Sequence, residues 1–123
     1  ADLVRRAKPE NLIFSAVDAM LYPSYQLGAR GSIAAILTAA PGPSVRLWNA
    51  VIDQDWETAR DLHERLMPLW DAIGVDNMPS LVKYAQHLQG LDAGHARKPT
   101  SPATEAQKQL VYEALEILGL IAN

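Results

Sequence analysis

The stretch Gln26-Leu27-Gly28-Ala29-Arg30-Gly31-Ser32-Ile33-Ala34-Ala35-Ile36 constrains the fold most. Glycine has no side chain to clash in the left-handed conformation that closes many helices, so Gly28 predicts a helix stop. Gly31 lets the backbone turn again. Ser32 to Ile36 is then a short run of small and branched apolar residues that does not alternate with polar ones. Such a run reads as a strand buried on both faces, as in a parallel sheet covered by helices. It ends at Ala40-Pro41-Gly42-Pro43, where a new helix can start. Helix, strand, helix in this order is half of an alternating α/β pattern.

The preceding residues extend that pattern. Asp2 to Lys8 reads as the last turns of a helix, with Arg5, Arg6 and Lys8 near its negative end and Pro9 as its stop. Leu12-Ile13-Phe14-Ser15 reads as a strand. Val17 to Leu27 reads as a helix that offers Ala19, Met20 and Leu27 to a core and is kinked by Pro23.

From Pro43 onward the pattern is helical. A helix runs from Pro43 or Ser44 to about Ile52, with Val45, Leu47, Trp48 and Val51 as apolar anchors. Asp55 is a good N-cap for the next helix, which carries Trp56, Ala59, Leu62, Leu66, Leu69, Trp70 and Ile73 at spacings of three and four. Gly74 ends that helix, and Pro68 within it predicts a bend near Glu64 to Pro68. A further helix starts at Asn77-Met78-Pro79-Ser80, presents Leu81, Val82, Tyr84, Ala85 and Leu88, and stops at Gly90. Leu91 to Pro102 reads as an extended loop. Thr104 caps a last helix with Leu110, Val111, Ala114, Leu115 and Leu118, closed by Gly119.

Composition narrows the function classes. The chain of 123 residues is 49% hydrophobic and 20% charged, enough for one domain with its own core. A net charge of -3 argues against a nucleic-acid footprint. There is no cysteine, which rules out disulfide and thiolate chemistry and fits a cytoplasmic setting. No apolar run approaches the length of a membrane span. His63-Glu64 opens like a zinc-protease helix, but position 67 is Met rather than a second His, so no metal site is expected. His87 and His95 stand apart and read as surface residues. Gly28 and Gly31 do not form a dinucleotide fingerprint, because the strand follows them instead of preceding them. Ser15, Ser24 and Ser32 have no evident His partner. Asp18 stands just past the Leu12–Ser15 run, where α/β proteins place ligand-binding groups; alternatively it caps the helix it opens.

Four stretches then resemble a known family, in order along the chain: Phe14-Ser15-Ala16-Val17-Asp18-Ala19, Leu27-Gly28-Ala29-Arg30-Gly31-Ser32-Ile33, Glu64-Arg65-Leu66-Met67-Pro68-Leu69, and Met78-Pro79-Ser80-Leu81-Val82-Lys83-Tyr84-Ala85. Arg97-Lys98-Pro99 with Pro102, and Ala114-Leu115-Glu116-Ile117-Leu118-Gly119-Leu120, add to them. Together they resemble the C-terminal part of the dihydrodipicolinate synthase / N-acetylneuraminate lyase family. That family is a (β/α)₈ TIM barrel followed by a helical C-terminal domain. Its members are class I lyases, acting as aldolases, synthases or dehydratases through a Schiff base between a lysine and pyruvate or another 2-oxo acid.

The resemblance implies an α/β fragment: the last two strands and helices of the barrel over 1–54, and a C-terminal three-helix domain over 55–123. Leu12–Ser15 would be the seventh strand and Ser32–Ile36 the eighth. Three substrate-binding positions carry over. Ala16 matches a position that lines the pocket through its main chain and is glycine in many members. Ile33 matches an eighth-strand residue whose carbonyl faces the reacting centre. Asp18 matches an acidic position that binds substrate hydroxyls in the sugar-acid lyases. The family's Schiff-base lysine and catalytic tyrosine lie on earlier strands, and none of Lys8, Lys83, Lys98 or Lys108 stands at a matching place. The chain is therefore expected to be inactive alone, to need the missing N-terminal barrel portion, and to form homo-oligomers, with no cofactor. The competing reading is a free-standing helical interaction module without catalysis.

Overall fold

The computed structural model describes residues 1–121. Seven α-helices follow one another among these residues: α1 (Asp2–Arg6), α2 (Leu21–Gln26), α3 (Ile36–Ala39), α4 (Pro41–Ile52), α5 (Trp56–Ile73), α6 (Met78–Leu88) and α7 (Glu105–Ile117). A single 3-10 turn, Asp18–Met20, leads into α2.

The long helices follow their apolar spacing. In α5, Ala59, Leu62, Leu66, Leu69, Ala72 and Ile73 are buried, and the side chain of Asp55 accepts a hydrogen bond from Thr58 N at 3.1 Å to start the helix. The Thr58 side chain first, and this backbone bond second, hold the Asp55 carboxyl below its ordinary range. Pro68 lies inside α5, and the helix runs from Trp56 to Ile73 without a break. In α7 the capping box is complete: Thr104 Oγ1 accepts from Gln107 N, and Gln107 Oε1 accepts from Thr104 N. The core is continuous from Leu21 to Leu118, with α5 packed on α4 and α7, and α6 on α7 and α3.

Several expectations need correction. The two predicted strands do not form; they meet only in an isolated parallel bridge, Ser15 to Ser32. Three backbone bonds support it: Arg30 N to Ile13 O at 2.7 Å, Ser15 N to Gly31 O at 2.9 Å, and Ile33 N to Ser15 O at 2.9 Å. A lone parallel pair has few hydrogen bonds to hold its residues extended. The end of the second run departs altogether, because Ile36 begins α3. The predicted helix from Val17 to Leu27 divides into the 3-10 turn and α2, so Pro23 falls in the first turn of α2, where no backbone donor is lost. Its buried residues are Leu21 and Tyr25, while Met20 and Leu27 are exposed. Val45 and Leu110 also face outward, and Trp56 is 46% exposed at the start of α5, off the buried face.

Candidate functional site

The Ser15–Ser32 bridge gathers the three predicted binding residues at one end. In a parallel register that pairs 15 with 32, Ala16 lies opposite Ile33, and Asp18 follows two residues further on. Ala16 is exposed and the Ile33 side chain is 77% exposed. Asp18 is half-buried, and its Oδ1 accepts from Ile36 N at 2.6 Å. Asp18 thus does not cap the helix it opens. It holds the amide at the start of α3, across 18 residues of chain.

Behind the bridge lies a row of hydroxyls. Ser15 is buried and its Oγ donates to Ser24 Oγ at 3.1 Å. Ser32 Oγ donates to the phenol oxygen of Tyr25 at 2.8 Å. Burial raises the Tyr25 phenol above its ordinary value, partly offset by the bond from Ser32. The Tyr25 ring meets Trp48 edge to face, with centroids 4.9 Å apart. The serines have no His partner, as their sequence context predicts, while Tyr25 carries no motif that singles it out. Its place four residues after buried Leu21 is the signal that marks it as inward-facing. The row is closed on itself: two serines pair, and the third is held by the phenol.

Gly28 and Gly31 shape this end of the molecule in different ways. Gly28 adopts φ +97°, the left-handed conformation expected after α2. At Gly31 the cause is a neighbour: an added Cβ would stand 2.6 Å from the ring of Phe14. At the opposite end of the bridge, Lys8, Asn11, Ile13, Gly28 and Arg30 border a cavity of about 320 Å³. Lys8 therefore stands away from Ala16, Asp18 and Ile33. Of the other lysines, Lys83 donates to the carbonyl of Ala93, and Lys108 pairs with Glu105 at 2.7 Å. Among the described residues no three His, Cys, Asp or Glu side chains group as a metal site. No described helix is long and apolar enough to cross a membrane.

The sequence pattern of the dihydrodipicolinate synthetase family matches residues 1–118. The chain belongs to that family. The 4-hydroxy-tetrahydrodipicolinate synthase of Archaeoglobus fulgidus is 33% identical over 122 residues, which are 99% of this chain and 42% of the relative. The corresponding synthase of Parvibaculum lavamentivorans is 38% identical over 94 residues, 76% of this chain and 32% of the relative. Among solved structures, dihydrodipicolinate synthase from Thermotoga maritima superposes with a TM-score of 0.86 at 28% identity, covering 98% of this chain and 41% of that one. This family member thus spans about two fifths of the length of the relatives it matches, a share consistent with a C-terminal portion. The fold of these helices and their bridge is the fold of the matching part of those synthases.

Proposed function

We propose that this chain is the C-terminal part of a Schiff-base-forming lyase that acts on pyruvate or another 2-oxo acid. In this reading 1–54 supplies the last two β/α units of a (β/α)₈ barrel, and 55–123 is its helical C-terminal domain. The observation that carries it is the family match over residues 1–118, joined to a bridge whose parallel register suits two neighbouring barrel strands. In such barrels the reacting groups stand at the C-terminal ends of the strands. Ala16, Asp18 and Ile33 occupy that end of the Ser15–Ser32 pair.

Each residue then has a distinct role. Ala16 and Ile33 line the pocket with main-chain groups, the Ile33 carbonyl toward the reacting centre and the Ala16 methyl narrowing the space. Asp18 accepts hydrogen bonds from substrate hydroxyls. A carboxylate has two oxygens and several lone pairs, so holding Ile36 N does not exhaust it. The imine-forming lysine and the catalytic tyrosine come from the earlier strands of the complete enzyme. An amine must lose its proton to attack a carbonyl, which needs a desolvated pocket beside the substrate. Lys8 borders the cavity at the opposite end of the bridge, Lys83 is bound to the Ala93 carbonyl and Lys108 to Glu105, so none of these three offers such an amine beside Ala16, Asp18 and Ile33.

The test is imine trapping. The isolated chain, treated with pyruvate and borohydride, is expected to give no reduced adduct and no lyase turnover. An adduct on Lys8, Lys83, Lys98 or Lys108 would overturn this reading. In the complete enzyme, Asp18→Asn is expected to raise KM for hydroxylated substrates several-fold while pyruvate trapping survives. Loss of trapping would place Asp18 in the core chemistry instead.

A further inference from the structure

We propose that the cavity between α6 and the loop that follows it is a binding site for a small organic anion. The inference stands independently of the function proposed above. The cavity measures about 640 Å³, within the range of sites for metabolite-sized ligands. One wall is a single face of α6: Ser80, Lys83, Tyr84 and His87, at spacings i, i+3, i+4 and i+7. The opposite face of the same helix carries Leu81, Val82 and Ala85 into the core. The other wall is the segment from Asp92 to Ala103, with Lys108 reaching in from α7.

The loop is the second observation. Residues 91–104 have no regular secondary structure, a length at which loops inside compact domains are uncommon and are often functional. This one is tied down at several points, yet leaves the space beneath it open. Ser80 Oγ donates to Ser101 O at 2.7 Å, and Asn77 Nδ2 donates to Pro102 O at 3.1 Å. Asn77 and Gln107 also exchange a reciprocal pair of amide bonds at 3.1 and 2.9 Å. Lys83 holds Ala93 by its carbonyl.

The chemistry of the lining sets the ligand. Lys83, Lys108, His87 and His95 bring cationic or donor groups, against the single carboxylate of Asp92. That carboxylate is engaged by Gly94 N at 3.1 Å. Lys108 is shared with Glu105 on the solvent side, an exposed pair of small worth, and its ammonium lies 5.7 Å from the Tyr84 ring centroid. Tyr84, Ala93, Ala96, Pro102 and Ala103 supply apolar surface. A ligand with one or two carboxylates on a carbon body fits both halves of this lining; a bare inorganic ion fits only one.

The experiment is an NMR titration of the chain at constant ionic strength, following the imidazoles of His87 and His95 and the ring of Tyr84. Malate and succinate are the organic probes, inorganic phosphate the ionic one, and glycerol the neutral control. At least one carboxylate probe is expected to give saturable shifts at all three residues, and glycerol none. The double substitution His87→Gln with Lys108→Gln is expected to weaken that binding at least tenfold, with helical circular dichroism unchanged. Three results would overturn the proposal: no saturable shift with either carboxylate, saturation by phosphate alone, or equal binding by the folded double variant.

Discussion

His63 carries the clearest pH dependence at the scale of one residue. Its ring is half-buried and lies 5.6 Å from the Tyr22 ring. Burial lowers its pKa from the ordinary 6.5, and the neighbouring charge of Glu64 offsets only part of that. A histidine with a depressed folded-state pKa favours the fold when neutral. Its contribution is complete above the unfolded value and is lost as the pH falls below it toward the folded one. The melting temperature is therefore expected to drop as the pH falls through and below 6.5, and His63→Gln to flatten that drop. An equal drop in the variant would remove His63 as the cause. The same scale shows what sequence can and cannot reveal. Gly28 was legible because its left-handed backbone is a local property of the helix end. The crowding at position 31 was not, because it arises from the ring of Phe14, which only the fold brings there. Asp18 was legible as a special position, but its partner, Ile36 N, is a contact between distant parts of the chain.

At the scale of elements, α5 is the spine, since it packs against α4, α6 and α7 and also touches α2 and α3. Leu66 stands in the middle of its buried face at 2% exposure. Leu66→Ala is expected to destabilise the fold by about 2–5 kcal/mol in a denaturant titration, the usual cost of emptying a leucine site in a packed core. A loss below about half a kcal/mol would mean that the site collapses or that the face is misassigned. Helices such as α5 and α7 could be read directly, because a period near 3.6 and a capping residue both lie within the element. Strands are different. The runs 12–15 and 32–36 have strand composition, but the hydrogen bonds of a strand come from its neighbours. Here each run has the other as its one partner, and three bonds are what remain. Asp18 then captures the amide of Ile36, and the second run turns into α3. The loop over α6 was legible as a loop from its glycines and prolines, and His87 and His95 are surface residues as their sequence context predicts. The tethers through Asn77, Ser80 and Lys83 were not legible, nor was the cavity that both histidines line.

At the scale of the whole molecule, apolar exposure is uneven. Leu12, Phe14, Val17, Met20, Leu27 and Ile33 are all exposed by about half or more, and each lies within five residues of Ser15 or Ser32. The helical core beyond residue 54 buries its apolar faces far more fully. Soluble monomers seldom leave large contiguous apolar patches uncovered. The bridged segments also present backbone donors and acceptors on their outer edges, which are templates for further pairing. Both features favour association through this end of the chain, whether with barrel strands in a complete enzyme or with a second copy. In isolation the second copy is the available partner. Sedimentation velocity is therefore expected to show a concentration-dependent shift to larger species. Val17→Ser combined with Ile33→Ser should return the chain toward monomer, since both side chains face outward and neither belongs to the buried core. Helical circular dichroism should persist in that variant, because α4 to α7 pack without help from either residue. A compact monomer at every concentration of the unaltered chain would refute the association and weaken the assignment of this face as one that is normally covered.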